Sequence, residues 1–205
     1  MKQSSVKWFV YSFSFVFLII SCSGTKLIHK QANESYKGKP VSDILVIAIT
    51  GNEDTRRSYE RKFVARLESI GVEAISSEVA IAMPADLKLK KEMILNAINQ
   101  FENDAVIITH LIDKGEKEVN TRVGHPHSGY YGFYLSRYSY VYDPGYSSTR
   151  TTLRLKTNLY DAKTEKLIWS GQSETWSKDS KNQIINDVIK VVISDLQNSK
   201  LIGPK

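Results

Sequence analysis

The residues of this chain with the most chemistry to offer are one thiol, one pair of imidazoles and a dense cluster of phenols. Cys22 is the only cysteine, so it has no disulfide partner within the chain. It follows directly on Lys2, Lys7 and the apolar run Trp8 to Ile20, at the point where that run ends. His125-Pro126-His127 has the outline of a metal pair. Zinc asks for three or four ligands in a tetrahedral array, and only His110 and Asp143 could complete one, provided the fold gathers them. There is no neighbouring cysteine and no His-x-x-x-His spacing, so two loop histidines beside a proline are expected, with no metal and no other cofactor. Thr50-Gly51-Asn52-Glu53-Asp54-Thr55-Arg56-Arg57 carries one glycine and two acidic residues, a poor phosphate cradle. Its expected work is to cap a helix and oppose the helix dipole. Gly171-Gln172-Ser173-Glu174-Thr175 lacks the second glycine of a nucleophile elbow and falls within an expected strand. No serine–histidine–acid order and no Walker motif is present, and the chain is not expected to be an enzyme.

Between Gly129 and Tyr146 lie Tyr130, Tyr131, Tyr134, Tyr138, Tyr140, Tyr142 and Tyr146, together with Phe133. These are seven of the chain's eleven tyrosines, interrupted by Gly132, Pro144 and Gly145. A tyrosine joins a large apolar face to a hydroxyl, which suits protein interfaces and wet boundaries. Tyr138, Tyr140 and Tyr142 alternate with Ser139 and Val141, which pictures an extended arm with one aromatic face. The bland alternative is a loop or hairpin whose rings cover the domain's own sheet. As an interaction surface the cluster fits self-association first, then a membrane boundary or stacking on glycan.

The amino terminus has the parts of a secretory signal: a short basic start, about a dozen apolar or hydroxylated residues, and the small Ser21 at the cut. The apolar run falls short of the roughly 20 residues a spanning helix needs. Ile19-Ile20-Ser21-Cys22 resembles the lipobox of bacterial lipoproteins. The resemblance implies that diacylglycerol is joined to the Cys22 thiol, that the signal 1–21 is removed, and that Cys22 becomes the first, acylated residue. With Ser23 after the cysteine rather than aspartate, it implies the inner leaflet of an outer membrane, facing the periplasm.

The 205-residue chain is long enough for one domain beyond such a signal. Its formal charge of +6 falls to +4 once Lys2 and Lys7 are removed, a modest excess spread along the chain that gives no nucleic-acid footprint. Lys88-Leu89-Lys90-Lys91 is the densest basic run and is expected on the solvated face of a helix. Residues 22–40 are polar, with Gly24, Gly38 and Pro40, and read as a lipidated flexible tether whose reach is roughly 25 Å by random-coil scaling.

A single globular domain is expected over 41–202, with a Tyr/Gly-rich insert at 124–148. The continuous apolar runs 44–49 and 105–111 read as strands buried on both faces. Tyr59, Phe63, Leu67 and Ile70 recur at helical spacing before Gly71, and Val72 to Ile75 is a short strand. Leu87, Ile94, Ala97, Ile98 and Phe101 mark a second helix after Pro84 and Asp86, and 119–123 suggests a further strand. Leu153, Leu155 and Leu159 alternate with polar residues, Asp161 to Glu165 turns the chain, and Leu167 to Trp176 returns. A final helix carries Ile184, Ile185, Val188, Val191, Val192 and Leu196, capped by Asp179 or Ser180. The fold class is therefore α/β of the mixed kind. It is one mixed sheet, βαβαβ followed by an antiparallel β-meander and a C-terminal helix.

The stretch from Thr157 to Gly171, with Leu159-Tyr160-Asp161-Ala162-Lys163-Thr164 and Lys166-Leu167-Ile168-Trp169-Ser170-Gly171, resembles a hairpin shared by several periplasmic lipoprotein families. These are uncharacterised proteobacterial lipoproteins and, more distantly, the curli-secretion channel lipoprotein. In such a hairpin Asp161 bonds the turn backbone, Glu165 takes the left-handed position usually held by glycine, and Trp169 plugs the core. The tyrosine-rich insert and the helix entry Arg57 to Glu60 are similar as well. The resemblance implies a fold and an envelope setting. The expected function is a non-catalytic, lipid-anchored scaffold that contacts protein, itself included. The alternatives are a glycan- or peptidoglycan-binding module, or a subunit of an envelope secretion or assembly complex.

Overall fold

A computed structural model describes residues 24–84, 86, 88–112, 129–141, 152–176 and 180–205. Cys22, His125, His127, Tyr142, Asp143, Tyr146 and the expected strand at 119–123 lie outside these residues.

The centre of the molecule is β2 (Asp43–Ile49), buried at every position; from Ile44 on its side chains are apolar on both faces, and the Asp43 carboxylate is held by Asn103 and Lys205. It pairs in parallel with β3 (Glu73–Ser76) on one side and β4 (Ala105–Ile112) on the other. The crossovers are α1 (Glu53–Glu68) on the first connection, then α2 (Ser77–Ala80) and α3 (Lys91–Phe101) on the second. Past β4 the pairing turns antiparallel, through β5 (Thr152–Asp161) and β6 (Leu167–Trp176). The result is the expected mixed sheet, closed by α5 (Lys181–Asn198), but with an additional strand.

That strand is β1 (Thr25–Ala32), and it corrects the reading of 22–40 as a tether. It lies antiparallel to β6, Thr25 opposite Thr175 and Ala32 opposite Trp169, giving the order β1-β6-β5-β4-β2-β3. The physical reason is long-range pairing. An edge strand needs a partner on only one side, so its other edge stays wet and its sequence stays polar.

Two layers of helix cover the sheet. Ile44, Val46, Ala48 and Ile107 face α1 and α5, whereas Leu45, Ile47, Ile49 and Ile108 face α3 and α4 (Tyr130–Val141). Asn52 caps α1 by accepting the Thr55 amide at 2.8 Å, and Ser180 caps α5 by accepting the Gln183 amide at 3.3 Å. The end of the sheet where the parallel strands begin is tied shut. Asp104 accepts the amides of Ser42 and Asp43, and Lys205 reaches Asp43 and Glu73 at 3.3 and 2.8 Å. The opposite end, where β2 and β4 finish, holds the features of interest.

The basic run also departs from its expected place. Lys88 and Lys90 are exposed but precede α3, and Leu89 between them is buried.

Candidate functional site

At the carboxyl end of β2 the ladder to β3 stops with Val46 opposite Ser76, leaving the next amide on that side without a strand partner. The carboxylate of Glu60, fully buried on α1, supplies one: Oε1 accepts the Ala48 amide at 2.9 Å. The same oxygen accepts the Ser77 hydroxyl at 2.8 Å, and Oε2 accepts the Glu78 amide at 3.1 Å and faces Arg56 Nη1 at 3.5 Å. Arg56 also donates to Ser77 Oγ at 3.3 Å. Burial raises the Glu60 carboxyl above its ordinary range despite these donors. This cluster is a junction of three elements. Its sequence signal is an i, i+4 pair lying on the apolar face marked by Tyr59 and Phe63.

Beside the junction, beneath α1 and α5, is an apolar pocket of about 330 Å³. Ala48, Leu111, Leu153, Leu155, Ile184 and Val188 supply its greasy walls. The polar groups at its floor are already matched: the Tyr59 hydroxyl donates to Thr109 Oγ1 at 3.1 Å, and Thr109 and Thr157 share a hydrogen bond of 2.9 Å. Desolvation pushes the Tyr59 phenol up to about 12, so it stays protonated. At the rim, Lys181 on α5 donates to Thr55 on α1 at 3.1 Å.

Across the sheet, His110 is buried edge-on against Phe133, ring centroids 5.1 Å apart, and the Arg137 guanidinium lies 5.6 Å from the same ring's centroid. Burial, then the charges of Arg137 and Lys156, hold its imidazole well below the usual range. His110 is thus a neutral core histidine. Among the described residues no group of three or more histidine, cysteine, aspartate or glutamate side chains is placed to hold a metal.

Tyr130, Tyr131, Tyr134, Tyr138 and Tyr140 are not part of an extended arm. Residues 130–141 form α4, and Tyr130, Phe133 and Tyr134 are buried against β2, β4 and Tyr160. The Tyr134 hydroxyl accepts the Leu89 amide at 2.8 Å, and the Tyr138 hydroxyl donates to the Asp86 carbonyl. Tyr131 is half-buried, 6.2 Å from Tyr134 in a stacked pair, and Tyr140 lies in the same helix. The signal was present: 130, 133, 134, 137 and 138 recur at helical spacing and all but one are aromatic. The alternation from 138 to 142 obscured it.

Asp161 Oδ1 accepts the Thr164 amide at 2.6 Å, and Glu165 takes φ 57°. Trp169 is buried, its indole N–H donating to Asp195 Oδ2 at 3.0 Å. Gly171 lies under that indole, where a Cβ would meet Cη2 at 2.1 Å. Asp195 also takes Lys30 Nζ at 2.5 Å, so one α5 carboxylate ties β1 and β6 together. Nothing local in the sequence marked it.

At the amino end of β1 the Trp176 amide donates to the Gly24 carbonyl at 3.1 Å. The Trp176 indole is 49% exposed, with Lys26 Nζ 4.4 Å from its ring centroid. Gly24 is two residues past Cys22. The segment leading to Cys22 therefore joins the domain at the same end of the sheet as the pocket.

The fold and site define a mixed α/β domain with a doubly covered six-stranded sheet. No protein-family model and no curated protein matches the chain. Among solved structures it is similar to a PelC dodecamer from Paraburkholderia phytofirmans, at 12% identity over 88% of this chain and 99% of that one, TM-score 0.46. It is similar also to a lipoprotein from Neisseria meningitidis, at 17% identity over 77% of this chain and 98% of that one, TM-score 0.41. At these scores the likenesses carry no functional argument.

Proposed function

We propose that the chain is a lipid-anchored envelope protein, held through Cys22 at the periplasmic face of an outer membrane. Its domain acts there as a non-catalytic platform for protein contact, self-association included. The observation that carries the reading is the pinning of Gly24 to Trp176. The polar stretch after Cys22 goes into β1, which supports a domain seated against the lipid surface rather than at the end of a long leash. An exposed tryptophan with a lysine over its ring is suited to that boundary. The non-catalytic part is supported by where the buried carboxylates go: Glu60, Asp195 and Asp43 each hold backbone or neighbouring elements together.

The test is a Cys22→Ala variant followed by palmitate labelling and membrane fractionation. The wild-type chain incorporates label and sediments with membranes; the variant keeps its circular dichroism, loses the label and changes fraction. Label on the variant overturns the anchor. Native mass of detergent-extracted wild type checks self-association, and a monomer alone removes that part.

A further inference from the structure

We propose that the pocket beneath α1 and α5 is an acyl-chain site, and that its occupant is one of the fatty chains on this chain's own Cys22. The inference rests on the lipidation read above and adds a place for the lipid to go.

Its capacity falls within the range of small-molecule sites, about 300–1,000 Å³, at about 330 Å³. Its walls are apolar, and the hydroxyls at its floor are paired with one another. A hydrocarbon chain would strand no hydrogen bond there, and Lys181, the charged side chain among the described lining residues, is engaged by Thr55 at the rim. Topology supplies the source. Thr25 lies opposite Thr175 on β6, and Thr175 lies opposite Leu153 on β5, so Thr25 is on the same cross-sheet row as the pocket wall. Neighbouring strands are about 4.8 Å apart, which places β1 about 10 Å from Leu153. From Thr25 back to Cys22 the chain reaches at most ~10 Å. A fatty chain spanning half of a ~30 Å hydrocarbon core is ~15 Å long, enough to cover the remaining distance. Leu27 packs on the α5 side of the sheet, so β1 presents its amino end to the layer that holds the pocket.

Withdrawing one chain from the bilayer into the domain loosens the anchor, because membrane residence rests on the number of inserted chains. The protein then has two lipid states, fully inserted and partly self-bound.

The experiment uses the full chain in cells fed an alkyne palmitate analogue. Photoreactive p-benzoylphenylalanine is placed at Ile184, on the pocket wall, and in a control at Glu68, at the far end of α1. Mass of the amino-terminal peptide first reports whether Cys22 carries lipid; an unmodified peptide removes the anchor reading and this inference with it. With lipid present, the expected result is an intramolecular crosslink from Ile184 to the acylated peptide. It is absent from Glu68 and lost when Leu155→Trp fills the pocket. With lipid present, no crosslink from Ile184, or one only to free phospholipid or to residues 113–128 or 142–151, overturns the pocket assignment while leaving the anchor standing.

Discussion

Glu60 and His110 are buried ionisable residues on opposite faces of one sheet, and they give the domain opposite responses to pH. Burial raises the Glu60 carboxyl above 4.5, so the folded state binds its proton more tightly than the unfolded one. Stability from this group is greatest below 4.5 and falls as pH rises through its folded value. His110 is depressed below 6.5. Its contribution is present above 6.5 and is lost as pH falls toward its folded value, because the unfolded chain then takes up the proton first. Urea midpoints measured across pH should therefore drop below 6.5 in the wild type, and His110→Phe should flatten that arm. At the Glu60 junction, Glu60→Gln keeps one acceptor oxygen for the Ala48 amide and Ser77 hydroxyl but sets an NH2 against the Glu78 amide and the buried Arg56, and should cost about 3 kcal/mol or more. Arg56→Ala leaves a buried carboxyl without its cation and should cost about 3 kcal/mol or more in denaturant unfolding. Losses below about 1 kcal/mol in both variants would mean that the ion pair contributes nothing specific.

The elements differ in how openly the sequence announces them. Residues 44–49 and 105–111 are unbroken apolar runs, and burial on both faces leaves such a run little choice but a central parallel strand. The hairpin after Asp161 is equally legible, because Asp161 and Glu165 encode its turn within five residues. β1 is not legible: Thr25 finds its partner at Thr175, and no local pattern in a polar edge strand reports a contact 150 residues away. α4 fails for a different reason. Its aromatic and glycine residues are poor helix formers, and burial of Tyr130, Phe133 and Tyr134 overrides that preference. The same burial converts a supposed contact surface into core, with Tyr134 as an acceptor for the Leu89 amide. Tyr134→Phe should leave that amide unpaired and cost about 1–3 kcal/mol. Amide hydrogen exchange would show it as faster exchange at Leu89, and unchanged exchange there would sever the link between α4 and the loop before α3. The junction and the pocket were invisible in the sequence because each is assembled from three or more elements.

Among the described residues, the sheet has one laced end and one end that carries a pocket. Asp104, Asp43 and Lys205 lace the first; the second carries the pocket, the Lys181–Thr55 bridge and the exposed Trp176. If the pocket end faces lipid, Trp176 should report it. In the lipidated protein reconstituted into vesicles with brominated acyl chains, part of the tryptophan emission should be quenched. Trp176→Phe should abolish that part while leaving the buried Trp169 signal. Quenching that survives the substitution would turn the domain the other way.

The course of β1 also determines how the protein bears a mechanical load. It starts at the pocket end and runs toward the laced end, with seven registered pairs to β6 from Thr25 to Ala32. A pull transmitted through the residues before Gly24, against resistance at the far end, is directed along the strand axis. The pairs are then loaded together in shear, rather than peeled apart one at a time. Lys30 held by Asp195 adds a lateral fastening near the far end of the strand. A tug on the amino terminus is thereby spread over the sheet and α5 rather than concentrated on one hydrogen bond.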